Sequence, residues 1–154
     1  MDTEAAGGSD PGWNSDTKGA RDMNVQRIKP SFSDSRGDII DILKQSVVEY
    51  ATLITSKKGA VRANHYHKET FQYVYMLSGR MRVVAQMPGE SPSEVVLETG
   101  DLIVNVPLER HAFEALEDAT MLVLTRGPRG GDNYESDTFR LDSPLIRPNK
   151  ANGE

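Results

Sequence analysis

The three histidines of the chain, His65, His67 and His111, are the side chains best suited to chemistry. His65 and His67 are two residues apart, and alternate residues of a strand share a face, so both imidazoles are expected to point the same way. A neutral imidazole is a common metal ligand, and its ordinary pKa near 6.5 also suits proton transfer. The spacing therefore predicts one site that either binds a metal or moves protons.

Two further segments are expected to complete this site. The aromatic and β-branched run Phe71–Leu77 is typical of a strand, with Gln72, Val74 and Met76 on one face. After a Gly-Asp turn, the short strand Leu102–Val106 leads into a proline-centred turn that delivers His111. Gln72 and His111 are thus predicted to lie near the His65–His67 pair.

The spacing of these residues resembles the two motifs of the cupin superfamily. The first motif is matched by Gly59, His65, His67, Gln72 and Gly79, with glutamine in the position of the usual carboxylate. The second motif is matched by Gly100, Pro107 and His111, with Leu108 where the family usually has glycine. The resemblance implies an all-β fold, namely a single-domain cupin jelly-roll barrel of two antiparallel sheets.

The strand pattern along the chain agrees with that expectation. Short apolar runs are separated by turn signals, and none shows a sustained helical period. The runs are Asp38–Leu43, Val47–Thr55, Val61–His67, Phe71–Leu77, Arg80–Met87, Glu94–Leu97, Leu102–Val106, Ala112–Leu116 and Thr120–Arg126. We expect a disordered N-terminal arm over residues 1–24, which are rich in Gly, Asp and Ser. A cupin domain is expected over 25–142 and a C-terminal tail over 143–154.

Composition excludes several classes of function. The 154 residues include no cysteine, so disulfides and thiolate ligands are excluded, and the net charge of −5 argues against nucleic-acid or membrane-surface binding. No apolar run is long enough to span a bilayer. We therefore expect a cytoplasmic protein that acts on a small molecule. Cupins form dimers through open sheet edges, and the resemblance implies a homodimer.

The metal hypothesis assigns His65, His67, Gln72 and His111 as ligands. Three histidines leave coordination positions for substrate or water and suit a divalent transition metal such as Fe, Mn, Ni or Zn. An amide is a poorer ligand than a carboxylate, which weakens the case for redox iron or manganese. Glu69 is an alternative fourth ligand if a β-bulge turns its side chain toward the histidines.

A second resemblance concerns sugar-nucleotide chemistry. The segment Phe32–Gly37 resembles the Phe-x-Asp-x-Arg-Gly start of cupins that epimerise deoxysugar nucleotides. Arg62, the run His65–Lys68 and the later Gln72 resemble the Arg-Gly-x-His-Ala-His-Lys stretch of cupins that isomerise 4-keto sugar nucleotides. Ala63-Asn64 and Tyr66 depart from that pattern. In this branch the histidines act as acid and base, and no metal is required.

Three functions therefore remain open. An isomerase or epimerase would use His65 or His67 as the base and Tyr75, or Tyr73, as the acid. Its diphosphate-bearing substrate would meet Gln72 and arginines, which bind phosphate through a bidentate fork. The candidate arginines are Arg62, Arg80, Arg82 and Arg110. The alternatives are a three-histidine metal-dependent oxygenase and a non-catalytic ligand-binding cupin.

Overall fold

Short β-strands make up the computed structural model, which describes residues 23–128, 132 and 135–149. The twelve strands in these residues are β1 (Val25–Arg27), β2 (Phe32–Asp34), β3 (Gly37–Ile39), β4 (Tyr50–Ser56), β5 (Val61–Tyr66), β6 (Phe71–Ser78), β7 (Met81–Gln86), β8 (Ser93–Leu97), β9 (Asp101–Asn105), β10 (Arg110–Ala115), β11 (Ala119–Arg126) and β12 (Phe139–Arg140). The described part of the chain contains no α-helix, and it has no helix long and apolar enough to cross a membrane. The all-β prediction is confirmed.

The strands form two five-stranded sheets and one separate two-stranded ribbon. The first sheet has the order β1-β9-β6-β11-β4, and the second has the order β12-β5-β10-β7-β8. Every pairing is antiparallel, including the β2–β3 ribbon. The pairings leave each sheet open at its edges, so the predicted closed barrel is not seen among the described residues.

The core lies between the two sheets. Strand β11 alternates buried and half-buried residues along its whole length, which is the pattern of a strand with one face against a core. Side chains from both sheets meet there, among them Val74 and Ile103 of the first sheet and Val83 and Phe113 of the second. The apolar residues whose pattern predicted the strands are therefore the ones that hold the two sheets together.

The outer face of the first sheet carries a second apolar cluster. It is built on Tyr73, Tyr75, Leu102 and Val104, and irregular chain before β4 packs over it. The predicted strand Asp38–Leu43 is a strand only as far as Ile39, because Ile42 and Leu43 pack against this cluster instead of extending the ribbon.

Both ends of the described chain are anchored. β1 begins at Val25, where we placed the start of the domain, and residues 1–22 lie outside the described residues. At the other end, Ile146 is buried against Val84 and Ala112. The side-chain amide of Asn64 bonds the backbone of Leu145 and Ile146. Part of the segment assigned as a tail thus packs on the second sheet.

Two glycines with left-handed backbone test the packing of the fold. Gly79 and Gly89 have φ values of 79° and 77°. A Cβ on Gly79 would collide with the carbonyl oxygen of Asp118 and the backbone of Ala119, whereas a Cβ on Gly89 meets nothing within 4 Å. Gly89→Ala should therefore cost only the conformational strain, about 1 kcal/mol, and Gly79→Ala should cost roughly 1–3 kcal/mol more. Equal urea-unfolding free energies for the two variants would contradict this packing.

Candidate functional site

The three histidines meet at one end of the core. His65 lies on β5 directly opposite His111 on β10, and His67 follows the end of β5. Their ring centroids are 4.7 Å (His65–His67), 4.8 Å (His65–His111) and 5.2 Å (His67–His111) apart, and all three side chains are buried. One nitrogen of each ring lies within 4.8 Å of the others. The structure thus brings together the histidines that the spacing singled out.

A β-bulge in β5 shapes the wall beside them. His111 pairs with His65, but its neighbour Ala112 pairs with Ala63, so Asn64 is the extra residue. Ala63 and Asn64 both have left-handed φ values, 69° and 56°. Because of this extra residue, Arg62 and His65, although three residues apart, lie opposite Phe113 and His111, which share one face of β10. Both therefore line the same cavity.

Two hydrogen bonds orient the ring of His67. Its Nδ1 lies 2.8 Å from the carbonyl oxygen of Asp137, which can only accept, so Nδ1 carries a proton. Its Nε2 lies 3.1 Å from Oε1 of Gln72, also an acceptor in this orientation, so the geometry suits a ring protonated on both nitrogens. Rotating the Gln72 amide by half a turn would offer its NH₂ to a neutral ring. Glutamine can therefore serve either protonation state of His67, whereas a carboxylate can only accept.

The ring of His111 is oriented in a similar way. Its Nδ1 lies 3.0 Å from the carbonyl oxygen of Glu109, so Nδ1 donates and the neutral ring has its lone pair on Nε2. The turn before it includes Leu108, whose φ of 70° is left-handed. Leu108 stands where the cupin motif usually has glycine, and the backbone keeps the glycine-like conformation despite the side chain.

The carboxylate of Asp137 holds the turn that follows His67. Its oxygens accept hydrogen bonds from the backbone N–H groups of Lys68, Glu69 and Thr70 and from the Thr70 hydroxyl, at 2.8–3.0 Å. Burial alone would raise the pKa of Asp137, but these four hydrogen bonds outweigh it, and the pKa lies below its ordinary value. Asp137 therefore stays ionised while its own carbonyl oxygen orients His67.

Two of the three histidines, His65 and His111, open into a cavity of about 290 Å³ between the sheets. His65, His111, Gln72 and Arg62 line it, and the C-terminal segment adds Glu135, Thr138 and Arg140. The guanidinium of Arg62 donates to Ser56 Oγ at 2.7 Å and to the Thr55 carbonyl oxygen at 2.7 Å, both on the opposite sheet. A larger cavity of about 750 Å³ lies on the outer face of the first sheet, and no histidine lines it.

Several predicted site residues lie elsewhere. Tyr75, like Tyr73, packs in the apolar cluster on the outer face of the first sheet, because alternation places Gln72 and Val74 on the inner face. Arg82 donates hydrogen bonds to Glu114 at 3.1 Å and to Glu94 at 3.2 Å, both on neighbouring strands of the second sheet. Arg110 and the side chain of Glu69 are exposed. The structure does not bring these residues into the histidine cavity.

Four cavity or clamp residues were missed by sequence reasoning: Glu135, Asp137, Thr138 and Arg140. Their segment follows Thr120–Arg126, the last of the predicted strand runs, and β12 is the strand within it. Asp137 is 70 residues from His67, so no local spacing signals the contact. A single acidic residue in a polar stretch gives no pattern that could have identified it.

The histidine cluster fits a metal by its donor set. Three neutral imidazoles supply nitrogen ligands, and the contacts of His67 and His111 through Nδ1 leave Nε2 as the ligand nitrogen of those two rings. Gln72 Oε1, beside His67 Nε2, stands in the position of a fourth ligand. His65, His67, His111 and Gln72 would therefore hold a bound metal.

Comparison with known families agrees with this architecture. Residues 52–125 match the model of the cupin domain family. This family match over residues 52–125 confirms the predicted resemblance to cupins, and the two-sheet fold and the histidine cluster agree with it. A comparison with curated proteins gives no match.

Solved structures of sugar-nucleotide cupins share the fold. A dTDP-4-dehydrorhamnose 3,5-epimerase from Sulfolobus tokodaii is 20% identical, with a TM-score of 0.61 over 78% of each chain. A mutant 3,4-ketoisomerase from Thermoanaerobacterium thermosaccharolyticum in complex with TDP is 25% identical, with a TM-score of 0.61 over 77% of this chain and 88% of that one. Another mutant of that enzyme, in complex with TDP-4-keto-6-deoxyglucose, is 24% identical, with the same TM-score and coverage of 77% and 88%.

The Asp137 carboxylate and the backbone N–H groups of residues 68–70 form a clamp on the turn after His67. Removing the charge of Asp137 should weaken this clamp. Asp137→Asn places an NH₂ group among four donors, so we expect the free energy of unfolding to fall by about 2–3 kcal/mol. Asp118→Asn is the matched control, because that exposed carboxylate accepts one hydrogen bond, from Lys58 N at 2.9 Å, and its loss should cost under about 0.5 kcal/mol. Urea denaturation measures both, and an Asp137→Asn variant as stable as the control would disprove the clamp.

Proposed function

We propose that this protein is a sugar-nucleotide isomerase or epimerase that moves a proton next to a sugar carbonyl. The observation that carries the proposal is the buried cluster of three histidines, two of which, His65 and His111, line the cavity, with the ring of His67 oriented through both nitrogens beside them. The fold neighbours support the substrate class, since they are epimerases and ketoisomerases, one of them bound to a 4-keto sugar nucleotide. Cavity volume, about 290 Å³, suits the sugar part of such a substrate.

The reaction requires a base within reach of one carbon. Removing the proton beside the carbonyl sends the C–H electron pair into a new C=C bond and the carbonyl pair onto oxygen, giving an enediolate. Return of the proton to the former carbonyl carbon, with loss of the hydroxyl proton from its neighbour, moves the carbonyl. Return to the opposite face of the first carbon inverts that centre. We assign His67 as the base, acting through Nε2 once the substrate takes the place of the Gln72 amide beside it. His65, which lines the cavity, is the partner that stabilises the enediolate oxygen.

Gln72 supports this role of His67. A base in an isomerase must gain the proton and then release it, so its neighbour should tolerate both charge states. The amide of Gln72 can accept from the charged ring once the proton has been taken, and it carries no charge that would keep the proton there. A carboxylate in the same position would favour the charged ring and hold the proton.

The remainder of the site follows from the same cavity. Arg62 is assigned to the anionic part of the substrate, because its guanidinium lines the cavity and bonds only neutral oxygens in the contacts described. The predicted homodimer is retained in the proposal. It is supported by the position of β4 at a sheet edge and by the exposure of Leu53 on that strand, 66%.

Replacing His67 tests the proposed reaction. With TDP-4-keto-6-deoxyglucose in D₂O, the wild-type protein should exchange the hydrogen beside the carbonyl, as measured by NMR. His67→Ala and His67→Asn should each slow exchange at least about 100-fold, because the base is lost. Thermal melting verifies that the variants are folded, and the second variant guards against a defect caused by the cavity that alanine leaves. Unchanged exchange in a folded variant would rule out His67 as the base.

A metal-dependent cupin, such as a three-histidine oxygenase, is the second candidate. The specific support is the group of three imidazole nitrogens within 4.8 Å of one another. A bound transition metal would supply Lewis-acid or redox chemistry at that point. The chain's own residues would then fix its position through the carbonyl oxygens of Asp137 and Glu109, which orient two of the rings.

Elemental analysis separates the candidates. If the cavity is a metal centre, protein purified without an affinity tag should contain close to one transition-metal ion per chain, and His65→Ala should lose most of it because one ligand is removed. Equal metal content in the two proteins would exclude the three-histidine centre. Binding of a sugar nucleotide with neither exchange nor metal would instead identify a non-catalytic ligand-binding cupin.

A further inference from the structure

Strand β12 places one arginine on the histidine side of the second sheet. Arg140 pairs directly with His65, and Phe139 pairs with Tyr66. Phe139 stacks on Tyr66, with ring centroids 5.3 Å apart, and Lys68 Nζ lies 4.3 Å from the Phe139 centroid, so this group occupies one face. Residues directly opposite in an antiparallel pair share a face, so Arg140 lies on the side of His65 and lines the cavity.

Arg140 already has an internal counter-ion. Its Nη2 donates to Oε1 of Glu135 at 2.8 Å, and the two side chains are 66% and 58% exposed. Glu135 lines the same cavity. A guanidinium has five N–H donors, and this contact uses the Nη2 end of the fork. An ion pair with this much exposure is weak, so a ligand with more negative charge can displace Glu135.

The charge around the cavity favours an anion. Among the residues that the structure describes, the charged groups that line it, besides the histidines, are Arg62, Arg140 and Glu135. With neutral histidines their formal sum is +1, in a chain whose formal net charge is −5. A locally positive mouth on a negative protein concentrates anions at that point and repels them elsewhere.

We propose that Arg140 binds the phosphate groups of the ligand at the cavity mouth, and that Glu135 is a competing counter-ion that selects for polyanionic ligands. This rests on the proposed function in taking a phosphorylated small molecule as the ligand. A diphosphate carries enough charge to replace the single carboxylate of Glu135 on the Arg140 fork. A neutral nucleoside does not.

Calorimetric titration with TDP, inorganic pyrophosphate and thymidine tests the proposal. Arg140→Gln should weaken binding of TDP and pyrophosphate roughly tenfold, and Glu135→Gln should strengthen it about two- to fivefold. Thymidine binding should stay the same in both variants. Arg140→Lys, which keeps the charge but loses the fork, should fall between wild type and Arg140→Gln.

Arg80→Gln is the matched control. Arg80 forms a similar exposed ion pair with Glu98, with an N–O distance of 3.0 Å, and this pair lies away from the cavity. If Arg140→Gln binds both anions as the control does, the proposal is wrong. Binding of pyrophosphate but not TDP, with the Arg140 effect intact, would support the anion site while contradicting the nucleotide part of the proposed function. Failure of the wild-type protein to bind either anion would overturn the anion site itself.

Discussion

The buried carboxylate of Asp137 is the interaction on which the site depends. It gathers three consecutive backbone N–H groups after His67, and its own carbonyl oxygen receives the His67 ring. Burying an imidazole without hydrogen bonds costs free energy and leaves the orientation of the ring undefined. Asp137 supplies the hydrogen bond that offsets the cost and fixes the orientation. The same anchoring fixes the segment that carries Glu135 and Arg140. Ring orientation and the composition of the cavity mouth are therefore coupled through a single ionised side chain.

Backbone strain gathers around the same cavity. Two residues adopt left-handed conformations where related sequences have glycine, each at a cost of about 1–2 kcal/mol. Leu108 stands at the glycine position of the second cupin motif, and Ala63 stands at that of the stretch shared with 4-keto sugar isomerases. The surrounding structure holds them there. Asn64, also left-handed, bonds the backbone of Leu145 and Ile146, and the N–H of Leu108 donates to the carbonyl oxygen of His67. The bends that bring the histidines together are thus retained by contacts with the chain around them rather than by glycine.

The sequence predicted the parts of the site that depend on local periodicity. Histidines two residues apart, a glutamine at the head of a strand and a turn before His111 are all readable because alternation fixes which face each side chain takes. The same rule argues against Tyr75 and Arg82, since the neighbours of each, Val74 and Val83, face the core. Asp137 and Arg140 could not be predicted, because their contacts join segments about 70 residues apart and depend on how β12 pairs with β5.

Gln72 stands where the cupin motif usually has a carboxylate, and this difference changes what the histidines can do. A carboxylate would add negative charge, strengthen a metal centre and hold the proton on His67. The neutral amide removes that charge but keeps a hydrogen bond available in either orientation, which suits a ring that cycles between charged and neutral. At the other end of the same ring, the Asp137 carbonyl oxygen fixes which nitrogen takes part. A neutral amide at this position therefore agrees better with the proposed proton transfer than with a redox metal centre.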